Sequence, residues 1–408
     1  MRPRSLAVPA LLLLLSALVS AQEERLCGTC QTTGVVDVEL SSKQALEQDH
    51  GPGWELLFCS EAIESDNMGL DWMVCPRCKS PSKQAEAQVR WDAIASKNRA
   101  WLDERRRMDG FTRGKPIVHL ETTHFVLAWD VPKLKGSDKK IYRAHEAVHL
   151  YARRMEALYH HYQTVLGVVD VDHMITKHHF YTFDKLRDAQ SVGPAYAQMS
   201  STTTARRAGG VDHNSTVVLF RNKNLHPKDD DFHRHWIHSL VHQMTSVYYN
   251  PYWFPDENSK KLSPPWLADK FGWMDAGLAH WFEIDFDGEA TTYCMQEQDT
   301  TTRWKGGNWR TNVWKAVVAE DAPSFPELIT IPTAALSARQ HQFVWSWVDY
   351  LMSVDPKGMG RAIKLAKHDK PVREILKEAW GLSMLSFEEK WAEYVRVAYD
   401  PKKKTAGG

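Results

Sequence analysis

Three groups of residues in this chain have types and spacings that could bind a metal ion. Near the N-terminus, Cys27-Gly-Thr-Cys30 and Cys75-Pro-Arg-Cys78 form two C-x-x-C pairs. A His-Glu-x-x-His string occupies residues 145–149, and residues 238–242 repeat the histidine spacing with a serine in the second position. Thiolates and imidazoles are the ligands that zinc prefers in proteins. The sequence therefore predicts zinc as the cofactor, at one or more of these places.

The two C-x-x-C pairs favour a structural zinc site. Each pair can form a tight knuckle, and together Cys27, Cys30, Cys75 and Cys78 can place four thiolates around the ion. This arrangement resembles a zinc ribbon. A disulfide clip is the second possibility, because an exported protein meets an oxidising compartment, and redox chemistry is the third. Cys59 is left over between the pairs and is available to bond with Cys294.

The string His145-Glu-Ala-Val-His149 has the pattern of a catalytic zinc helix. On a helix its two histidines share one face, and Glu146 could act as the general base on a zinc-bound water. No later helix offers a glutamate ligand at a familiar distance. We therefore keep His145, Glu146 and His149 as an alternative site and favour a solvated helix face that carries a chance motif.

The second histidine pair, His238 and His242, gains weight from its downstream context. The chain continues with Pro264-Pro-Trp266-Leu and then with the tract GWMDAGLAHWFE at residues 272–283. Residues 115–400 resemble the gluzincin metallopeptidases, in particular the peptidase MA-like domains of exported bacterial proteins. Those domains carry H-E-x-x-H on one helix and W-L-x-E-G-x-A-x-Y-x-E on the next, where the first glutamate is the third zinc ligand.

The resemblance also shows what this sequence lacks. The general base of the family falls on Ser239, and the third zinc ligand falls on Ala276. Serine has no basic group near neutral pH, and alanine cannot bind a metal. Asp275 is next to the lost ligand, but we expect it to point off the site, about 100° around the helix. His238 and His242 alone make a weak zinc site, so the resemblance implies a degenerate peptidase.

Three functions are consistent with these observations. The favoured one is a pseudo-peptidase that binds a peptide, a glycan or a protein of the cell envelope, with Trp266, Trp273 and Trp281 as aromatic binding residues; these tryptophans could equally pack the core. The second is an active zinc metallopeptidase that uses His145-Glu146-His149 or a rearranged site at His238 and His242. The third is a structural scaffold that the cysteine module holds together.

The first residues and the charge balance predict where the protein acts. Two arginines, an apolar run over Ala7–Val19 and the small residues Val19-Ser-Ala21 indicate a cleaved signal peptide at 1–21, and hence a secreted or periplasmic protein. No other stretch is long enough to cross a bilayer. Lys+Arg and Asp+Glu both number 51, so nothing points to nucleic acid as a partner.

The sequence predicts that strands, followed by helices, position these residues. We predict strands at Trp54–Phe58, Ile117–Trp129, Met174–Phe183 and Ser215–Phe220. We predict helices at Ala85–Met108, Ile141–Leu166, His233–Tyr249, Trp273–Glu283, Gln340–Val354, Gly360–Ala366, Val372–Trp380 and Ser386–Tyr399. This order predicts an α+β fold, with a mixed sheet before a helical metallopeptidase-like subdomain. The expected domains are a cysteine-rich module at 22–80, a helical linker at 81–114, the peptidase-like domain at 115–400 and a tail at 401–408.

Overall fold

The structure is a computed structural model, and it describes residues 27–38, 53–65, 70, 72–114, 116–136, 138–173, 177–198, 204–209, 214–221, 228–250, 267–290 and 309–402. The predicted signal peptide, Trp266, Cys294 and the last six residues lie outside these ranges. The chain divides into two compact units. The smaller comprises residues 1–48 and 62–105, and the larger comprises residues 49–61 and 106–408.

The described residues contain short strands and longer helices. The strands are β1 (Val35–Asp37), β2 (Leu56–Cys59), β3 (Trp72–Val74), β4 (Val118–Thr122), β5 (Phe125–Trp129), β6 (Lys133–Lys135), β7 (Ile141–Arg143), β8 (His178–Phe183), β9 (Thr204–Gly209) and β10 (Asn214–Phe220). The α-helices are α1 (Ser60–Glu64), α2 (Pro81–Arg106), α3 (Ala144–Leu166), α4 (Leu186–Tyr196), α5 (Asp229–Val247), α6 (Leu267–Lys270), α7 (Gly272–Asp287), α8 (Trp309–Val318), α9 (Phe325–Leu328), α10 (Ala338–Val354), α11 (Pro356–Lys367), α12 (Val372–Trp380) and α13 (Met384–Ala398).

The smaller unit is an antiparallel ribbon with a long helix. Strands β1 and β3 pair with Val35 opposite Val74. Trp72 of the ribbon meets Trp91 of α2 edge to face, with 5.6 Å between ring centroids. The segment that we expected to be a separate helical linker is therefore part of the same compact unit as the cysteine pairs.

A mixed six-stranded sheet forms the base of the larger unit, with the order β2-β4-β5-β8-β10-β9. Strand β8 runs parallel to β5 and to β10, and the remaining pairs are antiparallel. The α+β prediction is thus confirmed. Residues 117–129 form a hairpin rather than one strand, because the Thr122 hydroxyl accepts the Phe125 N–H at 3.1 Å and closes a turn. The β2 segment, which we expected inside the cysteine module, belongs to this sheet.

Both faces of the sheet are covered. Phe125, Leu127 and Trp129 belong to the main core with α3, whereas Val126 and Ala128 belong to a second apolar cluster with α4. Alternate residues of a strand point to opposite faces, so a strand buried on both sides is apolar throughout. This explains why every residue of β5 is buried.

The helical half is built on close contacts among α5, α7 and α10. Trp345 and Trp347 of α10 are wholly buried. Gly277 of α7 lies so close to α10 that an added Cβ would sit 2.5 Å from the Val344 carbonyl oxygen. The bounds of the predicted helices differ from the observed ones by at most four residues. Helix α3 begins at Ala144 and not at Ile141, because residues 141–143 pair with β6. None of the described helices is long and apolar enough to cross a membrane.

Gly277→Ala tests the contact between α7 and α10. We expect the variant to lower the free energy of unfolding by about 1–3 kcal/mol, because the new methyl group overlaps the Val344 carbonyl. Helix propensity alone would instead raise it by about 1 kcal/mol. Urea unfolding followed by tryptophan fluorescence measures the difference. Gly110→Ala is the matched control, since a Cβ added there would meet nothing within 4 Å; equal effects at the two glycines would contradict the close approach.

Candidate metal centres

The described residues contain three groups whose donor atoms could hold a metal ion. They are Cys27, Cys30 and Cys78; Cys59, His145 and His149; and His238, His280 and Glu283. Within each group the donor atoms lie within 4.8 Å of one another. The first group is in the smaller unit, and the other two are in the larger one.

The β1–β3 ribbon brings the two C-x-x-C pairs together. The first pair precedes β1 and the second follows β3, and the Cys75 N–H donates to the Gly34 carbonyl at 2.9 Å. The buried Cys75 thiol interacts with those of Cys27 and Cys30 and so completes the set of four. None of the five described cysteines forms a disulfide with another of them.

Backbone hydrogen bonds favour thiolate at the first knuckle. The N–H of Cys30 lowers the pKa of the Cys27 thiol. Burial raises the pKa of Cys30, but the N–H of Gly34 and the Cys78 thiol outweigh burial and lower the pKa to about 6. Burial raises the pKa of Cys75. Thiolates that gather without a cation repel one another, so this group suits a divalent metal.

The His-Glu-x-x-His string begins α3, and its histidines do not lie on a solvated face as we expected. His145 and His149 are 7% and 3% exposed. The thiol of Cys59 lies 3.9 Å from His145 Nδ1 and 3.7 Å from His149 Nε2. Sequence reasoning did not place Cys59 beside these histidines, because the pairing of β2 with β4 brings it to His145 from 86 residues away.

Glu146, the alternative general base, has a structural role in this arrangement. Its carboxylate accepts the Arg143 N–H at 3.1 Å and caps the N-terminus of α3. A carboxylate in this position satisfies a helix N–H that would otherwise lack an acceptor. It is therefore not turned towards the two histidines, as water activation would require.

Asp275 contradicts our expectation that it points off the second histidine site. Its Oδ1 lies 2.9 Å from His242 Nδ1, and its Oδ2 accepts the Thr333 hydroxyl at 2.8 Å. The backbone of α7 begins only three residues earlier, so Asp275 lies in the first turn, where its side chain can reach across to α5. His242 is thus held by a carboxylate from the neighbouring helix.

From His242 a chain of polar contacts continues through the protein interior. Its Nε2 lies 3.0 Å from His238 Nε2, and His238 Nδ1 lies 3.3 Å from Glu283 Oε2. The same oxygen lies 3.1 Å from His280 Nδ1, and His280 Nε2 lies 3.1 Å from His341 Nδ1. We call this set the buried polar chain; its members are Thr333, Asp275, His242, His238, Glu283, His280 and His341. Of these, Glu283 entered the sequence prediction only as a match to the family tract, and His280, His341 and Thr333 carried no role in it.

Both carboxylates of the buried polar chain stay ionised. Burial raises the pKa of Asp275, but His242 outweighs burial and lowers the pKa to about 2. Burial likewise raises the pKa of Glu283, while its contacts with His238 and His280 lower it to about 2. Burial lowers the pKa of His238 and of His280 to about 4, so neither readily takes a proton from water.

The donor set of the buried polar chain suits a cation. The Nδ1 atoms of His238 and His280 both face the ionised Glu283, at 3.3 Å and 3.1 Å from its Oε2. Chemically, these residues can hold a divalent cation, with His238, His280 and Glu283 as its ligands.

Ser239 and Ala276, which align with the base and the third ligand of the peptidase motif, are both buried. Ser239 is 4% exposed and Ala276 is 0% exposed. Trp273, one of the tryptophans named as binding or core residues, is wholly buried and packs on Phe325 with 5.3 Å between ring centroids, as a core residue would. Trp281 is partly buried against the core beside Phe282.

Comparison with protein-family models finds no match for this chain, and comparison with curated proteins finds no significant match. The likeness to peptidase MA-like domains therefore rests on the motif residues alone. Its consequences for function are proposals.

Glu283→Gln tests the buried polar chain. Glutamine keeps the shape but turns one NH₂ group towards a histidine, so we expect the free energy of unfolding to fall by about 2 kcal/mol. Guanidinium unfolding provides the measurement. Glu374→Gln on the exposed side of α12 is the control, and we expect it to change stability by less than about 0.5 kcal/mol. Losses of the same size in both variants would show that the interior contacts of Glu283 carry no special weight.

Proposed function

We propose that this chain is an exported, non-catalytic relative of the gluzincin metallopeptidases, a pseudo-peptidase that binds a peptide, a glycan or a protein of the cell envelope. In this proposal the scaffold of the peptidase is kept and its hydrolytic centre is lost. The cysteine module is a structural zinc site, and residues 1–21 act as the signal peptide.

One observation carries the proposal. Where the family places its base and its third ligand, this chain has Ser239 and Ala276, and the surrounding space is occupied by the buried polar chain. The hydrogen bond from His242 to Asp275 fixes the orientation of the histidine ring in the core. The ionisable groups that remain contact one another.

Burial supports the same conclusion. Catalytic zinc needs an open coordination position that water and substrate can reach. The side chains of His238 and Glu283 are 4% and 0% exposed. A cation on these residues would be enclosed by protein, which suits a structural ion and not the binding of a peptide bond.

The active-enzyme alternative has less support at both histidine pairs. Between His238 and His242 the position of the base is taken by Ser239, which cannot do the work of a carboxylate. Between His145 and His149, Glu146 caps its own helix. A hydrolase at His145 and His149 would need Glu146 to move, and the backbone N–H of Arg143 would then lose its acceptor.

Peptide hydrolysis tests this proposal directly. We expect the purified mature chain, incubated with excess zinc, to cleave neither denatured casein nor a quenched fluorescent peptide library above the buffer rate. A gluzincin of known activity provides the positive control. Cleavage that a chelator abolishes and that disappears in His238→Ala would overturn the proposal. Binding of the same protein to peptide and glycan arrays then distinguishes the classes of partner.

Cys75→Ser tests the structural zinc. We expect mass-spectrometric metal analysis to find one zinc fewer per chain in this variant, because a hydroxyl is a far poorer zinc ligand than a thiolate. The exposed neighbour variant Lys79→Ala should keep the wild-type content. Wild-type zinc content in Cys75→Ser, together with thiols that react only after reduction, would instead support the disulfide clip.

A further inference from the structure

We propose a second zinc site in the larger unit, formed by Cys59, Glu61, His145 and His149. It does not depend on the proposed function, because it uses neither the cysteine pairs nor the buried polar chain. It gives the His-Glu-x-x-His string a role as half of a closed metal site rather than as a catalytic centre.

The distances among these side chains fit one tetrahedral ion. Zinc bonds of about 2.3 Å to sulfur and about 2.0 Å to nitrogen place the two donor atoms about 3.5 Å apart. Cys59 Sγ lies 3.7 Å from His149 Nε2 and 3.9 Å from His145 Nδ1. All three donor atoms lie within 4.8 Å of one another, so small side-chain movements would bring them onto a shared ion.

Cys59, His145 and His149 are the donors that already lie within 4.8 Å of one another, and Glu61 is placed to add a fourth. Its Oε2 lies 3.1 Å from His145 Nδ1, the same nitrogen that faces the cysteine. An oxygen and a nitrogen on one tetrahedral zinc lie about 3.4 Å apart, so this contact also fits. With the thiolate, the carboxylate gives the site two negative charges, which match a divalent cation.

The site is built on rigid elements. Cys59 ends β2 and pairs with Leu120 of β4, and the next residue, Ser60, accepts the buried His119 N–H at 2.9 Å. Helix α3 packs on β4 and β5 through the main core. Both halves of the site are therefore anchored to the same strand, so little ordering is required when the ion binds.

The donor set selects the class of metal. One thiolate, two imidazoles and one carboxylate suit zinc or another late first-row ion, whereas calcium and magnesium require oxygen ligands. Four protein donors leave no position for a substrate water, which is the mark of a structural site. Its effect is to fasten the short edge strand β2, together with Glu61 just beyond its end, to helix α3.

Metal content of matched variants tests this site. Cys59→Ser and His149→Gln, loaded with excess zinc and desalted, should each hold one zinc fewer per chain than the wild type. Glu146→Gln and His160→Gln on the same helix should keep the full content, since Glu146 faces Arg143 and His160 is exposed. Glu61→Gln should weaken zinc binding by about 10- to 100-fold. Wild-type zinc content in Cys59→Ser would overturn the proposal.

A cobalt measurement keeps the test decisive if Cys59→Ser does not fold. In the full-length chain with Cys27→Ser, Cys30→Ser, Cys75→Ser, Cys78→Ser and Cys294→Ser, bound cobalt should still show a thiolate-to-metal charge-transfer band with the intensity of a tetrahedral ion. Cys59 is the one cysteine left in this background, so it alone can supply that thiolate. A folded background protein without this band would show that Cys59 binds no metal.

Discussion

Asp275 and Glu283 are ionised carboxylates in the interior of the helical half, and a buried charge left without a partner costs several kcal/mol. Each therefore needs hydrogen-bond donors at fixed positions. Asp275 has His242 and Thr333, and Glu283 has His238 and His280. These partners lie on α5, α7 and the turn before α10, so the demands of two charges fix how three segments pack. The same packing includes the close approach of Gly277 to Val344. Because glycine has no Cβ, α7 can lie directly on α10.

Under the proposed function, this constraint also explains how the helix pair α5 and α7 keeps its fold without catalytic chemistry. Removing a zinc ligand and a base leaves histidines in the core with no metal to bind. Histidine tolerates this only if both ring nitrogens find polar partners. Here a neighbouring aspartate, a glutamate and further histidines meet that need. Stability then depends on the polar contacts themselves, whereas in an active enzyme the metal would supply the organising charge.

The sequence was informative where the signal is periodic and local. Helix α3 follows from its repeating apolar stripe, and helix α12 was predicted to the residue. The α+β order followed from strand-like segments before helical ones. Contacts that join distant segments could not be read in this way. The position of Cys59 beside His145 depends on which strand pairs with β4, and the direction of Asp275 depends on how α7 packs on α5. Neither of these contacts produces a periodic pattern in the sequence.

The string at residues 145–149 shows why a motif does not by itself define a chemistry. Two histidines on one helix face offer the same two ligands to a catalytic or a structural ion. A catalytic site and a structural site differ in the remaining donors and in the direction of the glutamate between the two histidines. An open position and a carboxylate aimed at water would make a hydrolase. In the site proposed here Cys59 and Glu61 supply the remaining donors, and Glu146 is held by the backbone of Arg143. The His-Glu-x-x-His motif, which suggests a peptidase, thus lies in this fold where the end of edge strand β2 contacts helix α3.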